Sequence, residues 1–244
     1  EKGTEENKGQ WAMIFKETVK NDSNPVDKTE KFMFDGERLI QHIIKQRYFE
    51  EEISNEVNLS YSDNQVTVTT DYLTLIYTLN SEGYASQCVY SLSSQNRIYQ
   101  FSYSAEGYLT GIVENIDDTE YSSTSLTYEN GDITSISSKM NGLENKFIYE
   151  PGEESSKYHL PCLDLLEIHP LTFHIEALYA GLLGKDPRHF TMHSCPAGSN
   201  DEKTVYSYGF DKKGNPSRMI CQTTYAGGQA SYYPYTRNIS ISFE

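Results

Sequence analysis

The sequence predicts a mostly-β fold: a long, curved antiparallel meander, like an open barrel, that holds one buried helix near residues 170–184. Three observations predict it. Turn glycines recur every 24 residues at Gly83, Gly107 and Gly131, nearby segments alternate apolar and polar residues, and residues 170–184 follow a helical period. A fixed period indicates stacked similar units, and alternation indicates strands with one buried face. A closed barrel or a two-sheet arrangement, with the helix as a plug, is the alternative.

The repeat has the pattern of consecutive β-hairpins. Residues 99–103 alternate aromatic and polar side chains, which places the aromatic ones on one face of a strand. The pair Asn130 and Gly131 tolerates the positive φ angles of a type I′ turn, a strong hairpin signal. A small or apolar residue follows each turn glycine at the second place and an apolar one at the fifth: Ala85 and Cys88, Leu109 and Ile112, Ile133 and Ile136.

Strands are also predicted on both sides of the repeat. Upstream they cover residues 11–19, 31–44 around the turn Asp35-Gly36, 58–70 and 73–79, and downstream 146–149, 205–210, 219–225 and 238–243. Residues 21–25 are predicted to form a turn, 50–52 and 189–199 loops, and 151–156 a polar linker. Residues 11–244 are therefore expected to form one domain, and long sheets of this kind must coil or close.

One helix interrupts the strands. Its apolar residues lie at helical spacing, Pro170 suits a first turn, and Gly184 suits a stop: Leu171, Ile175, Leu178 and Leu182 form the stripe. Because the segment is apolar around much of its circumference, we expect it to be buried in the concavity of the sheet. His169 and His174 at its start are interpreted as a helix cap and a surface histidine.

Composition limits the classes of partner. The net charge is −15, with 35 acidic residues, so nucleic acid is excluded as a partner. No run of about 18 apolar residues predicts a transmembrane helix. Residues 1–10 are polar and are expected to be a disordered tether, left after removal of a leader or an artificial truncation. No pattern in the sequence predicts a cofactor.

The four cysteines are Cys88, Cys162, Cys195 and Cys221. None has the C-x-x-C spacing of a zinc site, and four cysteines allow three pairings. Buried free thiols are as compatible with the sequence as a disulfide, which could stabilise an exported protein by about 2–4 kcal/mol. Cys162 and Cys195 flank the helical stretch, so they are the first pair that we expect.

Several units resemble a known family: the Tyr-x-x-x-Gly-x-Leu repeats, residues 180–185 and residues 206–216. From about Phe32 onward the chain is similar to domains of unknown function from exported lipoproteins of Bacteroides-like gut bacteria. Its hairpins also resemble the tyrosine-aspartate (YD) repeats of bacterial shell-forming proteins, without their regular Asp and Arg. The resemblance implies export to the periplasm or the outer-membrane surface and a curved all-β sheet. It also implies membrane attachment only through a lipid on a removed N-terminal cysteine, and no catalytic residue.

Possible catalytic and metal-ligating residues are sparse. His189, His193 and Cys195 have the spacing H-x-x-x-H-x-C, but no fourth ligand follows at useful spacing, so no metal site is predicted. A glycan hydrolase needs two carboxylates across a cleft, and G-x-S-x-G is absent. Two acidic clusters lie in predicted loops: Asp117, Asp118 and Glu120, and Asp201 and Glu202.

The candidate ligand-binding residues are tyrosines near the C-terminus: Tyr225, Tyr232, Tyr233 and Tyr235. Exposed tyrosines can stack on sugars or pack against a partner, whereas alternation in edge strands would turn half of them toward the core. We therefore predict a non-catalytic exported binding module of the cell envelope for a glycan, a small apolar ligand or an envelope protein. The alternatives are a structural protein–protein interaction domain and, less favoured, a glycan hydrolase.

Overall fold

The computed structural model describes residues 9–19, 26–48, 50–92, 95–155, 168–199, 201–225 and 235–244. Within these ranges sixteen strands form one closed antiparallel barrel, and each strand pairs with its neighbours along the chain. The strands are β1 (Gln10–Val19), β2 (Val26–Asp35), β3 (Arg38–Tyr48), β4 (Glu51–Tyr61), β5 (Gln65–Thr69), β6 (Thr74–Leu79), β7 (Ala85–Leu92), β8 (Gln95–Tyr103), β9 (Leu109–Ile116), β10 (Thr119–Glu129), β11 (Asp132–Met140), β12 (Leu143–Pro151), β13 (Thr191–Pro196), β14 (Glu202–Phe210), β15 (Pro216–Tyr225) and β16 (Tyr235–Phe243).

The predicted open sheet is wrong, because the first and last strands meet. β1 pairs with β16 from Met13 opposite Phe243 to Val19 opposite Arg237. Twist accumulates along a sheet of this length, and closure removes the two edges that an open sheet would expose. The hairpin signals are local, whereas this pairing joins residues more than 200 positions apart. The closed alternative, with the helix inside, is what the structure shows.

Three element boundaries also differ from the prediction. The glutamates at 51 and 52 were expected in a loop but begin β4, opposite Tyr48 and Arg47, with their side chains still exposed to water. The expected loop at 189–199 contains β13, which pairs along β12 but meets β14 only at two residue pairs. Gln10, expected in the tether, begins β1, while residues 1–8 and the predicted turn at 21–25 lie outside the described residues.

The helix is shorter than predicted. A 3-10 helix, Leu171–His174, leads into α1, Ile175–Tyr179. The chain then turns, because Gly181 takes a φ of +71° and the Leu182 amide donates to Ala177 O. Leu182 is buried beyond this turn, so its apolar character reflects the core and not a continuing helix. No helix among the described residues is long and apolar enough to cross a membrane.

The core lies inside the barrel, and the repeat supplies one side of it. All six repeat positions (Ala85, Cys88, Leu109, Ile112, Ile133 and Ile136) are at most 3% exposed. They belong to one apolar cluster with Leu171, Ala177 and Leu183 from the helical region. We call residues 168–190 the plug, because this segment occupies the barrel interior. The expectation that the helix is buried by the sheet is confirmed.

The plug is attached to the repeat by its backbone. Three hydrogen bonds join plug residues three positions apart to turns 24 residues apart: Ala85 N to Leu182 O (2.7 Å), Lys185 N to Gly107 O (2.9 Å) and Arg188 N to Gly131 O (2.9 Å). Three extended residues span about 10 Å, which is also the width of two neighbouring strands. One hairpin of the repeat therefore matches three residues of the plug.

This docking requires a glycine at position 184. Gly184 has a φ of +85°, and a Cβ there would lie 2.6 Å from Gly107 O, whereas a Cβ at Gly181 would meet nothing within 4 Å. Alanine at positive φ costs about 1–2 kcal/mol at either site. We expect Gly184→Ala to lower the free energy of unfolding in urea clearly more than Gly181→Ala does. Equal losses in the two variants would contradict the docking contact.

Candidate functional site

A cavity of about 1150 Å³ opens at one end of the barrel, beside the plug. We call it the rim cavity. It lies at the end of the barrel that carries the turns at Gly83, Gly107 and Gly131. β1 begins at this end, at Gln10, and β16 finishes there, at Phe243. Its buried or half-buried apolar wall consists of Trp11, Phe34, Leu178, Tyr179, Phe190 and Phe243. Its exposed charged residues are Glu37, Lys185, Arg188 and Glu244.

Trp11 is the fixed centre of the aromatic wall. Its indole N–H donates to Gly36 O at 2.7 Å, and its ring stacks on Phe34 with centroids 4.3 Å apart and planes 8° apart. Phe243 lies on its other side, with centroids 6.4 Å apart. These residues come from three adjacent strands, β2, β1 and β16, so barrel closure assembles the wall. Trp11 is the only tryptophan in the chain.

The charged residues around the rim cavity are segregated. Glu37 and Glu244 belong to the side of β16, β1, β2 and β3, whereas Lys185 and Arg188 are held by the β8–β9 and β10–β11 turns on the opposite side. Lys31 donates to Glu244 at 2.8 Å, and the Lys185 ammonium lies 6.0 Å from the centroid of the Tyr108 ring. The exposed charges therefore form an acidic side and a basic side, and the half-buried Asp186 lies between the two cations of the basic side along the chain.

Three contacts between histidine and carboxylate connect the plug to the barrel wall near the plug's start, middle and end. They are His169 Nε2 to Glu114 Oε2 (2.7 Å), His42 Nδ1 to Glu176 Oε1 (2.8 Å) and His189 Nδ1 to Asp132 Oδ2 (2.9 Å). His42 and Glu114 are completely buried. A buried charge is tolerated only when it is paired and hydrogen-bonded, so these contacts favour the docked position of the plug.

His42 lies between two carboxylates. Its Nε2 is 3.2 Å from Glu30 Oε1, and its ring stacks on Phe32 with centroids 4.0 Å apart. Burial lowers the pKa of His42, but the hydrogen bonds to Glu176 and Glu30 outweigh burial and raise this pKa above its ordinary 6.5. Burial alone would raise the pKa of Glu30, yet the bond to His42 holds it below 4.5.

Two other buried groups near the plug show opposite protonation behaviour. Burial would raise the pKa of Glu114, but hydrogen bonds from His169 and Ser122 hold this pKa below 4.5. Burial lowers the pKa of His174 to about 3, so its imidazole is neutral, and its Nδ1 forms a hydrogen bond with the Tyr77 hydroxyl at 2.7 Å. The interpretation of His174 as a surface histidine is therefore wrong. The 3-10 helix also has no side-chain cap, so the cap interpretation of His169 is wrong too.

The tyrosines predicted to bind a ligand do not line the rim cavity where they are described. Tyr225 is 47% exposed and ends β15 at the opposite end of the barrel. Tyr232 and Tyr233 lie outside the described residues, as does the side chain of Tyr235, whose backbone begins β16. The tyrosine cluster stays a prediction.

Three of the four cysteines and both histidines of the H-x-x-x-H-x-C pattern lie in the described residues. Cys88, Cys195 and Cys221 form no disulfide with one another, and Cys162 lies outside the described residues, so the pair of Cys162 with Cys195 stays a prediction. His189 pairs with Asp132, away from Cys195 in β13. In the described part of the chain, no three His, Cys, Asp or Glu side chains converge on a possible metal position.

The acidic clusters lie in turns and at strand positions away from the rim cavity. Asp117 and Asp118 form the β9–β10 turn with φ angles of 48° and 62°, and Asp117 Oδ1 accepts from the Asn96 amide. Glu120 lies in β10, and Glu202 begins β14. None of these carboxylates lines the rim cavity.

Comparisons with known proteins agree on the fold. A family model described as "Domain of unknown function (DUF4595) with porin-like fold" matches residues 28–218. The chain is similar to the crystal structure of a porin-like protein from Bacteroides uniformis, with 28% identity, 96% of each chain covered and a TM-score of 0.85. A porin-like protein from Bacteroides vulgatus shares the fold alone, at 13% identity and a TM-score of 0.54, over 94% of this chain and 97% of that one. No curated protein matches the sequence.

The shifted pKa values of the buried and half-buried histidines and carboxylates determine how the stability of the fold depends on pH. The raised pKa of His42 contributes stability that is complete below about 6.5 and is lost as pH rises through its folded-state value. The lowered pKa values of Glu30 and Glu114 contribute stability that is complete above about 4.5 and is lost as pH falls through their folded-state values. The lowered pKa of His174 acts in the opposite direction to that of His42: its contribution is complete above about 6.5 and is lost as pH falls toward its folded-state value of about 3, because only the unfolded chain takes up a proton there. We therefore expect the melting temperature to be highest near pH 6.5 and to fall on both sides.

The variant Glu176→Gln tests the assignment to His42. It removes a charged partner, so we expect a loss of about 1.5–3 kcal/mol in unfolding free energy near pH 6. The difference from wild type should shrink as pH rises through the raised folded-state pKa of His42. Glu129→Gln, at an exposed position in β10, is the matched control. A Glu176→Gln loss that is the same at pH 6 and pH 9 would show that His42 does not titrate with the plug.

Proposed function

The chain belongs to the family of domains of unknown function (DUF4595) with a porin-like fold, and from that premise we propose that it is a non-catalytic exported binding module whose ligand enters the rim cavity. The proposal rests on a cavity of about 1150 Å³ with a fixed aromatic wall, beside a barrel interior whose described apolar residues pack into one cluster. Ligand sites are typically concave and mostly apolar, with a few well-placed polar groups. The rim cavity has these properties.

A conducting role is not supported by the interior. Large barrels of the porin type enclose a water-filled channel. Here the interior is occupied by fully buried side chains of the wall and the plug, including Phe32, Tyr77, Tyr99, Ile112 and Leu171. The barrel therefore acts as a rigid scaffold that carries a binding site at its end.

The outer face also differs from that of a membrane-spanning barrel. Such barrels carry an apolar band toward lipid and polar residues toward the interior. β10 and β11 lack an outward apolar band. Their buried residues are the apolar Leu126, Ile133 and Ile136 and the polar Ser122, Thr124, Asp132 and Ser138, and their alternating outward positions are polar: Ser123, Ser125, Thr127, Ser135, Ser137 and Lys139. This pattern supports a barrel that stands in water.

Export and envelope location are part of the proposal. They are supported by the resemblance of the sequence to exported proteins and by the similarity to a porin-like protein from Bacteroides uniformis. A lipid on a removed N-terminal cysteine is the proposed attachment. Association through a sheet edge is the weaker alternative, because the closed barrel leaves no free edge among the described strands. Hydrolysis is weaker still, because the acidic clusters lie away from the rim cavity.

The single tryptophan makes the proposal directly testable. We expect Trp11 emission to change saturably when the purified protein is titrated with its ligand from a panel of glycans, bile acids and fatty acids. The same ligand should raise the melting temperature with increasing concentration, because it binds the folded state. A ligand that raises the melting temperature without changing Trp11 emission would place binding elsewhere.

A second reporter serves as the control. Tyr72 is 85% exposed between β5 and β6, at the opposite end of the barrel. In the double variant W11F/Y72W the tryptophan reports on that end, and we expect the same ligand to leave its emission unchanged. An equal response of both reporters, or no saturable response of Trp11 across the panel, would contradict the proposal.

A further inference from the structure

The rim cavity combines an apolar wall with exposed charges that are separated by sign. Trp11 and Phe34 form the apolar side with the half-buried Leu178, and the exposed cations Lys185 and Arg188 lie on the plug. The plug holds both cations through backbone bonds to the turns at Gly107 and Gly131, so their positions are set by the fold. A ligand that touches the wall therefore also meets a fixed basic edge.

Arg188 is the most available of these charges. Its side chain is exposed, and it forms no ion pair with any residue that the structure describes. Lys185 lies over the Tyr108 ring. The neighbouring Asp186 is half-buried, and the Glu244 carboxylate across the cavity is paired with Lys31. A guanidinium with free donors is suited to a carboxylate, sulfonate or phosphate, which it can bind through two parallel hydrogen bonds.

The positive charge of this edge differs from the negative net charge of the protein. The chain has a net charge of −15, so most of its surface repels anions. An exposed pair of cations beside an apolar cavity is therefore a local exception to the charge of the whole protein. A neutral ligand would gain little binding energy from these two cations, whereas an anion would gain more there than elsewhere on this acidic surface.

We infer that the rim cavity binds an amphipathic anion, with its apolar body against the aromatic wall and its acidic head on Arg188 and Lys185. This inference rests on the proposed function and adds the chemical class of the ligand. The head group is recognised by charge, and the body by burial of apolar surface. The acidic side of the cavity, at Glu37, sets the orientation by repelling the head group.

The test uses two probes that share a chain length and differ in the head group, decanoate and decanol, both followed by Trp11 emission. We expect wild-type protein to bind decanoate more tightly than decanol at low salt. Arg188→Gln should weaken decanoate about three- to tenfold, as expected for an exposed charge contact, and leave decanol unchanged. Lys185→Gln should also weaken decanoate binding and leave decanol binding unchanged. Lys212→Gln, an exposed lysine in the β14–β15 turn outside the cavity, is the matched control.

The outcomes separate the inference from the proposed function. Equal binding of decanoate and decanol, unaffected by Arg188→Gln, would overturn the anion inference and leave the binding site standing. Saturable binding of a neutral oligosaccharide with no response to decanoate would do the same. If no probe and no member of the panel changes Trp11 emission, the proposed function fails together with the inference. A salt-sensitive decanoate affinity that depends on Arg188 supports both.

Discussion

The backbone hydrogen bonds between the plug and the repeat turns are the constraint on which the rest of the structure depends. They fix Lys185 against the Gly107 turn and Arg188 against the Gly131 turn, and they leave Leu182 buried in the core. Because the repeat advances two strands for every three plug residues, one extended segment can satisfy three turns in succession. The same contacts fill the barrel interior and form one side of the rim cavity.

The hydrogen bonds between histidine and carboxylate add specificity to this docking. A packed apolar interior favours any compact position of the plug, but His169, Glu176 and His189 each find a partner of matching chemistry on the wall only in the docked position. Displacing the plug would remove a hydrogen-bond partner from the buried His42 and from the buried Glu114, so displacement is costly. The ligand site at the rim is therefore built on a segment whose position is over-determined, which favours a preformed cavity.

Local features were predicted well and non-local ones were not. Asn130-Gly131 and the apolar positions beside the repeat glycines identified hairpins and the inward face correctly, because turn chemistry and alternation act within a few residues. The helix was predicted too long, because Leu182 continues an apolar stripe although Gly181 has already turned the chain. Barrel closure was not predicted, because it is a pairing between strands at the two ends of the chain. The rim cavity was missed for the same reason, because its wall joins Trp11 and Phe34 to Phe243. The single tryptophan on an inward strand position was the available signal.

Hydrogen exchange followed by mass spectrometry tests the central claim most directly, because that claim is that the plug is a docked part of the barrel. We expect the amides of Lys185, Arg188 and His189 to exchange as slowly as those of β9 to β11, since they donate to Gly107 O, Gly131 O and Asp132 Oδ1 of the barrel. Exchange of the plug within seconds, while the barrel strands remain protected, would contradict it. In that case the barrel would stand without its plug, and the rim cavity would lose the segment that carries its basic edge.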